Sequence, residues 1–292
     1  MKTRKFGLLG KDIDYSFSRG YFSEKFKAED LNATYENFDF QNIELVTTIL
    51  NPSAQISGIN ITIPYKESII PYLDELQEDA VNIGAVNTVK FEDGKSIGHN
   101  TDFYGFTKAL KPHLKAHHKK ALILGTGGAS KAIAYSLKKL GINYVFVSRN
   151  PDFNEMSYHN LDEDIVRDYT LIINCTPLGT HPNIQQKPQI PYEGISEKHI
   201  MFDLIYNPSE TAFLKQGKSK GATMYVTLEP CFHKSRNGSC TDQILRSGIK
   251  KIYIARHDPD NRTNKKSIHK LVKNNISTVV GLTEEKTNLL NN

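Results

Sequence analysis

Residues 121–130 read Ala121-Leu122-Ile123-Leu124-Gly125-Thr126-Gly127-Gly128-Ala129-Ser130. Four consecutive apolar residues predict a strand buried on both faces. The glycines that follow predict a tight turn, and Ser130–Leu140 reads as a helix closed by Gly141, a residue suited to the left-handed position after a helix. A strand, a glycine turn and a helix in that order form a phosphate cradle. Backbone amides can approach a pyrophosphate, and the positive end of the helix dipole favours its charge. A tight structural turn is the competing reading of the glycines alone; the flanking strand and helix favour the cradle. Gly125, Thr126, Gly127, Gly128 and Ala129 are therefore candidate cofactor contacts.

Downstream, Tyr144–Val147 reads as the next strand, and Leu171–Asn174 and Ile200–Leu204 as two more buried ones. The expected architecture is a doubly wound, Rossmann-like unit of parallel strands. The strand before residue 148 ends in Ser148-Arg149-Asn150, where an NAD site carries an acidic residue for the ribose 2′-hydroxyl. Arg149 suits a 2′-phosphate instead, with Ser148 and Asn150 adding hydrogen bonds, so NADP is the expected cofactor. A solvent-facing arginine at a strand end is the alternative reading of Arg149.

Upstream, Lys5–Gly10, Tyr35–Phe40 and Ile59–Ile63 read as strands, residues 15–29 as a helix, and Lys66–Ile70 as the start of another. Asp93-Gly94 between Val86–Phe91 and Lys95–His99 predicts a hairpin. Thr101–Leu114 is periodic and reads as a connecting helix. The fold class is α/β, with an N-terminal substrate domain over 1–102, a nucleotide domain over 103–222 and a smaller α/β piece over 223–292.

The 292 residues carry a net charge of +5, with 38% apolar and 24% charged residues. That balance suits a globular chain with anionic ligands and gives no nucleic-acid-binding run. No apolar stretch is long enough for a membrane span, and the N-terminal one is too short for a signal peptide. Three cysteines, Cys175, Cys231 and Cys240, fit a reducing compartment, so the expected location is cytoplasmic.

Lysine paired with a carboxylate suits ketone reduction, because negative charge builds on the carbonyl oxygen and a proton must arrive there. Lys66 and Asp102 are the candidate pair. A surface lysine and a helix-capping aspartate are the alternative readings. Ser16, Ser18, Asn60, Thr62, Asn87 and Thr101 are the types that would hold a polyhydroxylated acid, and equally the types that make turns and caps.

Taken together, these residues resemble the shikimate dehydrogenase family. The resemblance rests on four ordered motifs: Tyr15-Ser16-Phe17-Ser18; Asn60, Thr62, Pro64 and Lys66; Gly84-Ala85-Val86-Asn87-Thr88; and Gly98, Asn100, Thr101 and Asp102. Two further stretches, Asn174-Cys175-Thr176-Pro177-Leu178-Gly179 and Asp203-Leu204-Ile205-Tyr206-Asn207-Pro208, match its cofactor-side and tyrosine motifs. The likeness covers about residues 6–222. It departs at Arg19, where the family has proline.

This resemblance implies NADP-dependent interconversion of 3-dehydroshikimate and shikimate. Lys66 and Asp102 would be catalytic, with Ser16, Ser18, Thr62 and Asn87 on the substrate and Tyr206 reaching it. Asn174, Thr176 and Pro177 would lie on the cofactor side. Cys175 reads as a small buried thiol, and Tyr206 alone as a core tyrosine.

Past residue 222 the family's Gly-Leu-x-Met-Leu segment and glutamine-bearing helix are absent. Residues 227–231, Thr-Leu-Glu-Pro-Cys, with His233, Arg236 and Cys240, are instead similar to the deaminase of riboflavin biosynthesis. There two cysteines and a histidine bind zinc, and a glutamate serves the metal-bound water. Cys231 and Cys240 match the cysteine ligands, but none of the ten histidines has glutamate two positions on. The expectation is an incomplete zinc site, with deamination or a non-catalytic NADP-binding fusion as the alternatives to dehydrogenase activity. The lost return helices predict uncovered apolar surface and self-association.

Overall fold

The computed structural model describes residues 3–14, 16–205, 207–208, 210–218, 224–226, 229–232, 239–246, 251–254, 257 and 263–280. It divides into two compact units. One comprises residues 1–105 with 131–135, the other 106–130 with 136–292.

The first unit is built on a six-stranded sheet. Its elements in chain order are β1 (Arg4–Gly10), α1 (Ser18–Ala28), β2 (Ala33–Asp39), α2 (Thr47–Leu50), β3 (Ile56–Ile61), β4 (Glu75–Leu76), α3 (Glu78–Ile83), β5 (Thr88–Glu92) and β6 (Lys95–His99). The order across the sheet is β2-β1-β3-β5-β6-β4. β1 runs parallel to β2 and β3, whereas β5 is antiparallel to both β3 and β6. The hairpin at Asp93-Gly94 forms as expected, with Glu92 paired to Lys95 and both turn residues at positive φ. Leu9, Ile59, Ile61, Val86 and Val89 fill the core on one face.

Lys66–Ile70 departs from the helix expected there. It is a run of turns stitched by Tyr65 N–H to Thr62 O (2.9 Å) and Ile69 N–H to Tyr65 O (3.1 Å). Val86 N–H donates to Lys66 O at 2.7 Å, so that carbonyl is taken by a tertiary partner instead of a helical one.

Next in the sequence, α4 (Asp102–Leu110) carries the chain onward. The second unit then contributes β7 (Lys120–Leu124), α5 (Gly128–Lys139), β8 (Asn143–Ser148), β9 (Glu155–Ser157), α6 (Glu163–Asp168), β10 (Leu171–Asn174), β11 (Ile200–Asp203) and α7 (Ala212–Lys218). These strands form a wholly parallel sheet in the order β11-β10-β7-β8-β9. The chain enters at β7, winds outward through β8 and β9, and returns on the other side through β10 and β11. The winding direction switches between β7 and β10, the place where such folds present ligands beyond the strand ends. Leu122, Leu124, Val147, Ile172, Met201 and Phe213 pack its core.

The same unit ends in β12 (Met224–Val226), α8 (Cys240–Arg246), β13 (Lys251–Ile254), α9 (Lys266–Lys273) and β14 (Ser277–Val280). Its three strands are parallel in chain order, around Ile244, Ile252, Ile254, Leu271 and Ile276. Among the described residues, no helix is long and apolar enough to cross a membrane.

Candidate functional site

In the first unit, Lys66 Nζ lies 2.6 Å from Asp102 Oδ2, with the lysine side chain 16% and the carboxylate 31% exposed. The other carboxylate oxygen, Oδ1, accepts from Asn87 Nδ2 at 2.7 Å. Asn87 is in turn held by Thr101, whose backbone N–H donates to Asn87 Oδ1 at 2.9 Å and whose Oγ1 accepts from Asn87 Nδ2 at 2.9 Å. Thr88 Oγ1 donates to Asn87 Oδ1 at 3.1 Å and accepts from Asn60 Nδ2 at 3.3 Å. Tyr35 Oη closes the chain of contacts on Asn60 Oδ1 at 2.8 Å. One hydrogen-bonded network thus gathers Asn60, Lys66, Asn87, Thr101 and Asp102 from four separate stretches of sequence. Both carboxylate oxygens are occupied, which fixes the plane of Asp102 and aims the ammonium.

The helix-cap reading of Asp102 gives way to a different arrangement. Asn100 Oδ1 accepts from the N–H groups of Asp102 (3.0 Å) and Phe103 (3.4 Å), so Asn100 caps α4 and leaves the carboxylate for Lys66. Asn100 is 5% exposed, and its amide also donates to Ala85 O at 2.9 Å.

Among the described residues, Ser16, Ser18 and Thr62 make no side-chain hydrogen bond to this network. Ser16 Oγ accepts from Ser18 N–H at 3.2 Å, a local turn that starts α1. Thr62 follows β3, with its N–H on Leu9 O at 2.9 Å. Tyr206 lies outside the described residues.

In the second unit, the glycine turn follows β7 directly. Gly125 has φ +102°, and a side chain there would press Thr176 Cγ2 at 3.2 Å and the backbone of Cys175 at 3.4 Å. Glycine is thus required by backbone angle and by close approach of the loop after β10. No side chain caps α5 at Gly127, so no side-chain acceptor covers the leading N–H groups of the helix. Thr126 and Gly127 are exposed, Gly128 and Ala129 half-buried. Ser130 is buried and its Oγ donates to Gly127 O at 2.6 Å, tightening the turn. At the end of β8, Arg149 and Asn150 are exposed; Ser148 Oγ accepts from Asn150 N–H at 3.3 Å, which curls the backbone around the arginine.

Asn174 is placed differently from a surface ligand. It is 0% exposed; Nδ2 donates to Asp203 Oδ1 at 3.1 Å, and Oδ1 accepts from Thr176 Oγ1 at 2.6 Å and Thr176 N–H at 3.0 Å. Thr211 Oγ1 donates to Asp203 Oδ2 at 2.6 Å. Burial pushes the Asp203 carboxyl up to about 6 despite these donors. Asn174 and Asp203 therefore tie the loops after β10 and β11 together, with Thr176 half-buried and Pro177 exposed on the surface of that brace.

Sequence reasoning missed a buried charge pair, Lys218 with Glu210. Burial pulls the Lys218 ammonium down to about 8, and Glu210 opposes that. Glu210 lies before α7 (Ala212–Lys218), so no helical spacing in the sequence signals the pair.

At the C-terminal end, Cys231 and Cys240 come together with their Sγ atoms 2.7 Å apart. No group of three or more metal-ligating side chains exists among the described residues. Two cysteines fall short of the three or four protein donors that a zinc site uses, so the residues described here do not by themselves make one. His233 and Arg236 lie outside the described residues.

Comparison with known proteins accounts for both halves of this layout. The sequence pattern of the shikimate dehydrogenase substrate-binding domain matches residues 8–89, and that of the cytidine and deoxycytidylate deaminase zinc-binding region matches residues 209–256. A shikimate dehydrogenase (NADP(+)) of Methanosphaera stadtmanae is 38% identical over 241 residues, covering 76% of this chain and 85% of the relative. The crystal structure of the Thermus thermophilus shikimate 5-dehydrogenase with NADP(H) and shikimate superposes with a TM-score of 0.65 at 30% identity, covering 75% of this chain and 85% of that one. A quinate dehydrogenase of Corynebacterium glutamicum, solved with NAD, gives a TM-score of 0.65 at 25% identity, covering 75% and 86%. At that identity and coverage of the relative, the chain belongs to the shikimate dehydrogenase family.

Proposed function

We propose that this chain is an NADP-dependent shikimate dehydrogenase, interconverting 3-dehydroshikimate and shikimate. The observation that carries the reading is the Lys66–Asp102 pair, held at 2.6 Å and braced by Asn87, in a member of this family. In reduction, the substrate carbonyl oxygen gains negative charge as its carbon is reduced. The Lys66 ammonium stabilises that charge and gives its proton to the oxygen; Asp102 orients the ammonium and can accept from a ring hydroxyl. Ser16, Ser18, Thr62, Asn87 and Thr101 supply further polar contacts for a polyhydroxylated acid, with Asn60 supporting Asn87 through Thr88 and Tyr206 reaching the substrate.

The cofactor fits the second unit's own residues. Gly125, Thr126, Gly127, Gly128 and Ala129 would carry its pyrophosphate at the start of α5, and Ser148, Arg149 and Asn150 its 2′-phosphate. Thr176 and Pro177 would line it, on the brace made by Asn174. Bound NADPH supplies the hydride. The segments 1–102, 103–222 and 223–292 would then serve as substrate domain, cofactor domain and deaminase-like appendage, in a cytoplasmic enzyme.

The absorbance of reduced nicotinamide, followed with shikimate and NADP⁺ in the wild-type chain and Lys66→Ala, tests the reading. Turnover abolished by the substitution supports it; equal turnover in both removes Lys66 from the mechanism. A second reading is favoured by the deaminase-region match over 209–256, which overlaps the stretch where the dehydrogenase motifs end. Under it, the chain is a zinc deaminase remnant that releases ammonia from a pyrimidine and carries stoichiometric zinc; NADPH binding without shikimate oxidation selects instead a non-catalytic fusion. Quinate offered beside shikimate decides between the two acids.

A further inference from the structure

The two C-terminal cysteines are brought together by structure on both sides of the eight residues that separate them. On the Cys231 side, Glu229 is buried, with Oε1 accepting from Ser267 Oγ at 2.5 Å and Oε2 from Lys265 N–H at 3.1 Å. Phe232 N–H donates to Thr263 Oγ1 at 3.1 Å. Residues 229–232 are thereby fixed to the start of α9. On the Cys240 side, Ser239 Oγ donates to Asp242 Oδ2 at 2.8 Å, and Lys270 Nζ reaches Asp242 Oδ1 at 2.5 Å, fixing α8 to α9.

Direct bonds then join the two segments. Thr241 donates twice to Cys231 O, from N–H at 3.2 Å and from Oγ1 at 2.9 Å. Cys240 N–H donates to Cys231 Sγ at 3.2 Å. Thr241 is fully buried, while both cysteines are half-buried and so reachable by a small reagent. The two sulphurs are adjacent, 2.7 Å apart.

We propose that Cys231 and Cys240 form a dithiol site that closes to an intrachain disulfide by exchange with a low-molecular-weight disulfide such as oxidised glutathione. In the first step one cysteine thiolate attacks a glutathione sulphur; the S–S bond of the reagent breaks and one glutathione thiolate leaves. The second cysteine thiolate then attacks its partner's sulphur in the mixed disulfide and expels the second glutathione. The protein loses two electrons and its two thiol protons; the reagent gains them as two glutathione thiols. The juxtaposition favours the second step, because the resolving sulphur is already in place.

The full-length chain is equilibrated in zinc-free buffer over a series of reduced-to-oxidised glutathione ratios, quenched with acid, alkylated and weighed intact, then mapped by peptide mass. The expected result is the concerted loss of two of the three alkylatable thiols, leaving Cys175, with one cross-linked peptide joining 231 to 240 and full reversal by dithiothreitol. Cys240→Ser is expected to stop at a glutathione adduct on Cys231. Alkylation of all three thiols at every ratio in the wild-type chain overturns the proposal. So does a cross-link through Cys175. Recovery of one zinc per chain that shields both thiols from exchange overturns it as well, and the wild-type map decides even if the variant fails to fold.

Discussion

Asn100 and Asp102 divide between them two tasks that one aspartate at a helix start would ordinarily combine. Asn100 Oδ1 takes the Asp102 N–H at 3.0 Å and so caps α4, while the Asp102 carboxylate turns to Lys66 at 2.6 Å and Asn87 at 2.7 Å. Capping by asparagine is as good as capping by aspartate, so the helix loses nothing when the charge is used elsewhere. Asn100→Ala is expected to lower stability by about 1 kcal/mol and also to lower kcat, because the N–H groups left without an acceptor compete for the Asp102 carboxylate. Thermal melting and steady-state rates of the same variant measure both. A loss of stability with kcat unchanged would show that Asp102 is held without the cap.

Lys66→Ala is expected to reduce kcat for shikimate oxidation by about 10²–10⁴-fold, the usual range for a group that moves a proton in the transition state. Fluorescence titration with NADPH should give the wild-type Kd, since the cofactor candidates belong to the other unit. Asp102→Asn removes the charge that orients the ammonium and is expected to raise KM and lower kcat together. Asn87→Ala, which frees one Asp102 oxygen, should show a smaller loss in kcat than either.

Arg149 sits exposed at the end of β8 beside the Ser148–Asn150 curl. A charge-assisted hydrogen bond to a 2′-phosphate contributes about 1.5–3 kcal/mol, and its loss corresponds to about 10–100-fold in affinity. Arg149→Ala is therefore expected to raise KM for NADP⁺ by that factor while leaving KM for NAD⁺ nearly unchanged. Equal effects on the two cofactors would remove Arg149 from the 2′-phosphate site.

Much of this site was legible because its chemistry lies in residue type and spacing. The apolar run 121–124, the glycines after it and Asp93-Gly94 each specify a local backbone shape, and each shape is present. Lys66 with Asp102 follows from pairing a cation with a carboxylate. What sequence could not show is who satisfies whom across distant segments. Asn60 and Asn174 read as ligand contacts, but Asn60 spends its amide on Tyr35 and Thr88, and Asn174 is sealed between Asp203 and Thr176. The turns at Lys66–Ile70 were masked by a pattern compatible with a helix, which the tertiary bond from Val86 N–H to Lys66 O overrode. The buried Glu210–Lys218 pair was hidden because both residues usually face solvent.

Gly217 of α7 is matched to Met201 of β11. A Cβ at 217 would fall 1.8 Å from Met201 Sδ and 2.8 Å from its Cε, with Met201 only 1% exposed. Gly217→Ala would gain helix propensity elsewhere but is expected to destabilise here by about 1–3 kcal/mol through overpacking. Met201→Ala in the same chain should recover part of the loss, giving a favourable coupling in a double-mutant cycle by denaturant unfolding. Additive losses would mean that the helix shifts rather than meeting the sulphur.

His113, between α4 and β7, is 9% exposed, and its ring centroid lies 4.2 Å from that of Tyr253 in β13. Burial first, and the nearby Lys251 second, pull its pKa from 6.5 down to about 4. In that interval the unfolded chain binds the proton and the folded chain does not, so the folded state loses stability as pH falls. The contribution is whole above about 6.5 and gone once pH passes below about 4. With about 1.4 kcal/mol per pKa unit, the loss is at most about 3 kcal/mol. Burial also lowers His99, His118 and His199, so the wild-type chain melts earlier in acid for several reasons at once. His113→Phe keeps an aromatic ring against Tyr253 and cannot be protonated. Its melting temperature, followed from pH 7 to pH 4, is expected to fall by a few degrees less than that of the wild type. Parallel curves for the two proteins would mean that His113 is protonated in place without disturbing the contact with Tyr253.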